Sequence, residues 1–175
     1  AVKPKTRIIL ILHNIRSLHN VGSIFRTADA AGAGKIYLCG ITPAPTDRFG
    51  NIRPRLAKVS LGAEKTVEWD ASARSSRATL KLLEKLKKDG YKIFAVEQAK
   101  NSVPYYKIIL RGNSGHSDGI RSIRIALIFG NEVNGLPSSI LRRADKILEI
   151  PMRGNKESLN VSVAAGVVLF RILYP

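Results

Sequence analysis

Three polar turns in this chain set amide, hydroxyl or charged side chains beside glycine or a helix start. Asn20 and Arg26 fall in Asn20-Val21-Gly22-Ser23-Ile24-Phe25-Arg26, and Asn131 and Glu132 fall in Gly130-Asn131-Glu132-Val133-Asn134-Gly135-Leu136. The third turn gathers Asn155, Ser158 and Asn160 ahead of a run of small apolar residues. A helix start leaves backbone N–H groups without intrahelical partners, so Ser158 and Asn160 there can help hold a ligand. A Gly- and Asn-rich turn after an apolar strand offers N–H groups where open parallel sheets bind ligands. Singly, each turn also reads as a plain helix cap or strand-end turn. No phosphate-binding loop, Gly-x-Ser-x-Gly, cysteine–histidine pair, zinc motif or Gly-x-Gly-x-x-Gly accompanies them. The single cysteine, Cys39, excludes an internal disulfide, and His13, His19 and His116 lack metal-ligand spacing, so no metal is expected. What remains is a polar binding site without covalent or metal apparatus.

Apolar patterning supplies the elements that would position these turns. Thr6 to His13 reads as a buried strand, and Asn20 is a good N-cap for a helix ended by Gly32 or Gly34. Lys35 to Cys39 follows as a strand, completing a βαβ unit that argues for a parallel sheet. Ile41 to Pro54 reads as a surface loop studded by Arg48 and Arg53, with Arg55 just beyond; Ser60 to Ala63 is a tight turn and Thr66 to Trp69 a short strand. Ser72 to Lys88 is an amphipathic helix with Leu80, Leu82, Leu83 and Leu86 inward. Strands are expected at Tyr91 to Val96, Arg124 to Phe129 and Ile147 to Ile150, the last stopped by Pro151. Between the first two, Tyr105, Tyr106, Lys107 and Arg111 interleave aromatics with charge, which fits base stacking or loop packing equally. A short helix from Pro137 to Arg143 and a small-residue helix from Val161 to Phe170, buried or subunit-facing, complete an α/β domain spanning residues 1–175.

Charge narrows the partner. Lys and Arg number 29 against 13 Asp and Glu, a net +16 with a pI near 10.4. Solubility needs far less, whereas a polyphosphate partner releases counterions for each neutralised phosphate. No run is apolar enough to span a bilayer and no basic amphipathic helix carries a bulky aromatic face, so nucleic acid is favoured over membrane and a cytoplasmic location is the default.

In order and spacing, the three turns resemble the motifs of the SpoU-type RNA 2′-O-methyltransferases of the SPOUT superfamily. Asn20 to Ala28 matches the first motif, Ile128 to Leu136 the second, and Ile150 to Met152 with Glu157 to Ala165 the third; Ser60-Leu61-Gly62-Ala63 also looks like the family. The resemblance implies a SPOUT fold: a mostly parallel sheet flanked by helices, with the C-terminal part tied in a deep trefoil knot. It implies S-adenosyl-L-methionine (SAM) as cofactor, placed by position against Glu97, Gly130, Ile150, Met152 and Leu159. It implies catalytic-site roles for Arg26, Asn20, Glu132, Ser158 and Asn160, with Glu132 supporting the cofactor loop or the catalytic arginine. A guanidinium keeps its proton in nearly any site, so Arg26 is assigned electrostatic activation of the ribose oxygen rather than proton removal. Arg48, Arg53 and Arg55 are the expected RNA contacts, tRNA is favoured over rRNA, and a homodimer through the C-terminal helix and knot is expected. The alternative is a non-catalytic RNA-binding protein of the same fold, such as a ribosome-assembly factor.

Overall fold

Side chains along the first apolar run alternate between two cores, and that division sets the architecture. The computed structural model describes residues 6–110 and 123–175. In chain order the elements are β1 (Thr6–His13), α1 (Leu18–Ala31), β2 (Lys35–Cys39), α2 (Pro54–Ser60), α3 (Ala63–Thr66), β3 (Glu68–Asp70) and α4 (Ser76–Lys88). They continue with β4 (Lys92–Val96), β5 (Val103–Pro104), a 3₁₀ turn (Tyr105–Lys107), β6 (Ile123–Phe129), α5 (Ser138–Leu141), β7 (Lys146–Glu149) and α6 (Val161–Leu173).

Ile8, Leu10 and Leu12 of β1 enter one buried cluster with Ile125, Leu127 and Phe129 of β6, while Ile9 and Ile11 enter the other with Ala126 and Ile128. Strands covered on both faces read as unbroken apolar runs, which is why these two do. Val21, Ile24, Phe25 and Ala28 of α1 and Ala165, Val168, Leu169 and Ile172 of α6 cover the first face. Leu83 and Leu86 of α4 and Ile140 of α5 cover the second. The result is a parallel α/β sheet flanked by helices.

Among the described residues every ladder is parallel, in the order β3-β2-β1-β6-β4-β7-β5. Leu10 stands between Ile36 of β2 and Leu127 of β6, so β1 and β6 form the centre. Because all strands run one way, the carboxyl ends of β1, β6, β4 and β7 share one edge, where open α/β sheets place their ligands.

Several local expectations shift. Ser17, not Asn20, caps α1: its hydroxyl accepts the Asn20 N–H at 3.2 Å, so Asn20 lies inside the first turn, only 7% exposed. The arginine-rich stretch folds further than a loop, with Pro54 opening α2 at the position where its missing N–H costs nothing. Leu61 and Gly62, both at positive φ, turn the chain from α2 into α3. Helix α4 begins at Ser76, capped by the Ser75 hydroxyl, and Leu80 and Leu82 are only partly buried beside Leu83 and Leu86. Arg111 and His116 lie outside the described residues. Among those described, no helix is long and apolar enough to cross a membrane.

Candidate functional site

Loops leaving β4, β6 and β7 close around a cleft of about 400 Å³ on the carboxyl edge of the sheet. The loop after β6 is the most constrained. A Cβ on Gly130 would stand 2.6 Å from the Gly135 carbonyl carbon and 2.7 Å from the Leu136 nitrogen, closer than real Cβ atoms approach backbone. Asn131 folds the turn over itself: its Oδ1 accepts the N–H groups of Val133 at 2.9 Å and Asn134 at 3.0 Å. Its Nδ2 donates to the Asn14 carbonyl at 2.8 Å, tying the turn to the end of β1. Glu97, just past β4, accepts the Leu136 N–H at 2.9 Å through Oε2 and the Gln98 N–H at 2.9 Å through Oε1.

Glu132 links this turn to α1. Its Oε2 accepts the Arg16 N–H at 3.1 Å, and its Oε1 accepts the Ser17 N–H at 3.3 Å and Asn20 Nδ2 at 3.2 Å. A carboxylate at a helix start also meets the positive end of the helix dipole. Asn20 Oδ1 in turn accepts Asn160 Nδ2 at 3.1 Å, and Asn160 caps α6 by accepting the Ser162 N–H at 2.9 Å. One polar chain, Glu132–Asn20–Asn160, therefore joins the three turns that the sequence sets far apart.

Burial alone would push the Glu132 carboxyl up, but backbone N–H groups, those of Arg16 and Ser17 among them, and the Asn20 amide bring it below its usual 4.5. A depressed carboxylate stabilises the fold above its unfolded value and loses that contribution as pH falls through the folded one. Glu132→Gln replaces one acceptor oxygen by an NH₂ facing an N–H donor, so it should destabilise at pH 7. Urea titrations should show the gap between wild type and variant narrowing below about pH 4.5; a pH-independent gap would remove the carboxylate from this role.

The loop between β7 and α6 is the least tied. Among the described residues, residues 151–159 make one hydrogen bond, from Gln98 Nε2 to the Glu157 carbonyl at 2.6 Å. Met152, Ser158 and Leu159 of this loop line the cleft. Phe129, Leu148, Ile150 and Leu159 make one part of the lining apolar, while Glu132, Ser158 and Asn160 make another polar.

A second, larger cleft of about 810 Å³ opens beside the first, lined by Arg16, His19, Arg26, Arg55 and Lys58 with Ser17, Leu18 and Val59. Gly22 permits it: a Cβ there would stand 2.7 Å from the Leu56 carbonyl oxygen, so α1 and α2 approach closely enough to bring Arg26 beside Arg55 and Lys58. None of Arg16, Arg26, Arg55 and Lys58 is in an ion pair among the described residues. Such a cluster suits an anion with several phosphates. The two clefts share a wall, because Glu132 lines the first and holds the backbone of Arg16 and Ser17, which line the second.

Eight expected site residues thus line the first cleft: Glu97, Gly130, Glu132, Ile150, Met152, Ser158, Leu159 and Asn160. Asn20 lies outside it but is bonded to Glu132 and Asn160. Arg26 lies in the basic cleft, exposed and without an ion pair to Glu132. Arg55 joins it there, whereas Arg48 stacks over the Phe49 ring at 4.7 Å and Arg53 sits before α2 with its Nε buried and without a hydrogen-bond partner among the described residues. Lys58, which continues the run of Arg48, Arg53 and Arg55 in the sequence, joins the basic cleft, whereas sequence reasoning missed Arg16 and the Asn14 carbonyl, which nothing local marks. No cluster of potential metal ligands occurs among the described residues.

Comparison with known proteins places this geometry. The model of the SpoU rRNA Methylase family matches residues 7–170. The 23S rRNA (guanosine-2′-O-)-methyltransferase RlmB of Ralstonia nicotianae is 34% identical over 164 residues, covering 93% of this chain and 57% of that protein. The chain thus spans less than two thirds of the length of the curated relatives it matches. The AdoMet-bound rRNA methyltransferase of Sinorhizobium meliloti superposes with a TM-score of 0.74 at 30% identity, over 94% of this chain and 55% of that one. A structure solved for the 2-OH methylation of C/U34 on tRNA gives a TM-score of 0.72 at 26% identity, over 98% of this chain and 96% of that one.

Proposed function

The chain belongs to the SpoU rRNA methylase family, and from that premise we propose that it transfers a methyl group from SAM to a ribose 2′-hydroxyl of RNA. The observation that carries the reading is the shared wall between a half-apolar cleft and an unpaired basic one. A cleft of about 400 Å³ is within the range for small-molecule sites, roughly 300–1,000 Å³. Its apolar lining, Phe129, Leu148, Ile150 and Leu159, suits a nucleoside, and Ser158, Asn160 and Glu132 suit the amino-acid end, so the residues present fit SAM. Glu97 and Gly130 would shape the cleft by fixing the turn at 130–136, with Ile150 as an apolar wall.

SAM supplies an electrophilic methyl group on a sulfonium. Arg26, Arg55, Lys58 and Arg16 bind and orient the phosphates flanking the acceptor ribose. Arg26 would place a fixed positive charge by the 2′-oxygen, favouring the negative charge that grows there as its proton passes to solvent and the methyl donor departs as the thioether S-adenosylhomocysteine. Asn160 and Asn20 hold α6 and α1 in register, and Ser158 offers a hydroxyl to the ribose or the methionine end. Arg48 and Arg53 extend the positive surface away from the cleft.

Two structural proposals accompany the reaction. The strand order supports a deep trefoil knot: β6 is added inside β4, β7 enters between β4 and β5, and α6 then crosses back to pack on α1. A homodimer through α6 is supported by uncovered side chains on and just after it, Val163 at 50% and Tyr174 at 72% exposure, with Phe170 of α6 stacked on Tyr174. Arg26 lines the basic cleft and not the small one; in a homodimer it serves either its own chain's small cleft or the partner's, which mixed dimers distinguish.

The RNA is the remaining choice. Relatives above 30% identity are named for 23S rRNA and a 26% match for tRNA; mapping 2′-O-methyl groups in both pools, with and without the gene, decides between them. Calorimetry should show SAM binding once per chain with about −8 kcal/mol, a micromolar affinity. No heat at millimolar SAM would overturn the cofactor assignment.

A further inference from the structure

The loop after β2 contains a small hairpin that neither cleft explains. Residues 45–53 fold back on themselves through the Arg53 N–H to Pro45 carbonyl bond at 2.8 Å, an antiparallel bridge between Thr46 and Ile52, and the Asp47 N–H to Asn51 carbonyl bond at 2.9 Å. Asp47 locks the tip. Its Oδ1 accepts the N–H groups of Phe49 at 2.8 Å and Asn51 at 3.0 Å, and its Oδ2 accepts Asn51 Nδ2 at 3.3 Å. The residue held out at that tip is Phe49, 73% exposed.

A lone exposed aromatic is ordinary on a protein surface. This one differs in being fixed in place, because a slack loop could fold Phe49 back onto the body whereas the Asp47 bonds hold its backbone outward. One side of its ring already carries the Arg48 guanidinium at 4.7 Å. The hairpin then runs through Arg53 directly into α2, whose Arg55 and Lys58 line the basic cleft. A rigid aromatic backed by a cation, on a hairpin that leads into a helix lining the positive cleft, has the components of a stacking platform for an unpaired base.

Resting on the RNA reading above, we propose that Phe49 is a base-stacking finger that takes an unpaired RNA nucleobase next to the phosphate-binding cleft. Arg48 braces the ring and Asp47 preorganises the tip, so ordering it on binding costs little. The occupant is RNA rather than an apolar protein surface because the ring carries the Arg48 guanidinium and its hairpin leads into α2, whose Arg55 and Lys58 line the basic cleft.

Binding of an oligoriboadenylate and of bulk tRNA, followed by anisotropy over a range of salt, tests this with the full chain. Phe49→Ala should weaken binding roughly 5- to 150-fold, the range for one stacked base, and leave the log–log salt slope unchanged. Arg55→Ala should lower that slope by about one, as a phosphate contact does. Phe49→Trp should keep affinity, and its added indole emission should be quenched by RNA beyond the change seen for the native Trp69. Phe49→Leu should behave like the alanine variant, since it keeps apolar area but has no π face. Wild-type affinity in Phe49→Ala, or rescue by leucine, would overturn the stacking role. So would a change in oligomeric state or in SAM binding, which would make the tip a protein contact. If the wild-type chain binds no RNA at all, it is the RNA reading that falls.

Discussion

Replacing Arg26 by alanine is expected to leave SAM affinity unchanged and to lower turnover about 10²–10³-fold, the loss typical of one transition-state donor. The two effects separate because Arg26 lines the basic cleft and not the smaller one. Arg26→Lys should rescue poorly, since an ammonium cannot present a planar fork to phosphate and ribose oxygen together. The same variant tests the dimer. Mixing Arg26→Ala chains with Asn160→Ala chains pairs two dead proteins. If Arg26 serves the partner's cleft, each mixed dimer regains one complete site; if it serves its own, both sites stay dead. Normal turnover in Arg26→Ala would remove the residue from the mechanism in either arrangement.

Gly130→Ala should have the second large effect, on the cofactor rather than on RNA. The new Cβ would meet three backbone atoms of Gly135 and Leu136 at 2.6–2.8 Å, and backbone cannot step aside as a flexible side chain can. The turn must open, which displaces Leu136 from the Glu97 carboxylate and Asn131 from the Asn14 carbonyl. Overpacking of this kind costs about 1–3 kcal/mol, so SAM binding by calorimetry should weaken by up to about 10²-fold. RNA affinity, which we attribute to the basic cleft, should change little. A Gly130→Ala protein with wild-type SAM affinity would mean that this turn does not shape the cofactor site.

Much of the architecture was legible because parallel strands buried on both faces leave a plain apolar signature. Thr6–His13 and Lys35–Cys39 were bounded to the residue for that reason. The site was legible as three clusters, but their union was not: the Glu132–Asn20–Asn160 chain spans sequence separations of 112 and 140 residues, which no local pattern encodes. Asn20 shows the limit clearly. Its residue type favours an N-cap, yet Ser17 three positions earlier takes that place and frees the amide for long-range bonds. Helices α2 and α3 were hidden because Pro54 and the Arg-rich flank read as loop, and only packing of Leu56 and Ala63 into the first core makes them helical. Arg26 was found by resemblance, whereas Arg16 and Lys58 join it only through the close approach of α1 and α2 at Gly22.

The most direct test of the central claim is to incubate the purified chain with methyl-labelled SAM and with tRNA and rRNA from cells lacking the gene. The RNA is then digested to nucleosides and the label located by mass spectrometry. The account predicts label in a 2′-O-methylnucleoside, lost in Arg26→Ala. Label on a base, or no label in RNA from a chain that binds both SAM and RNA, would contradict it.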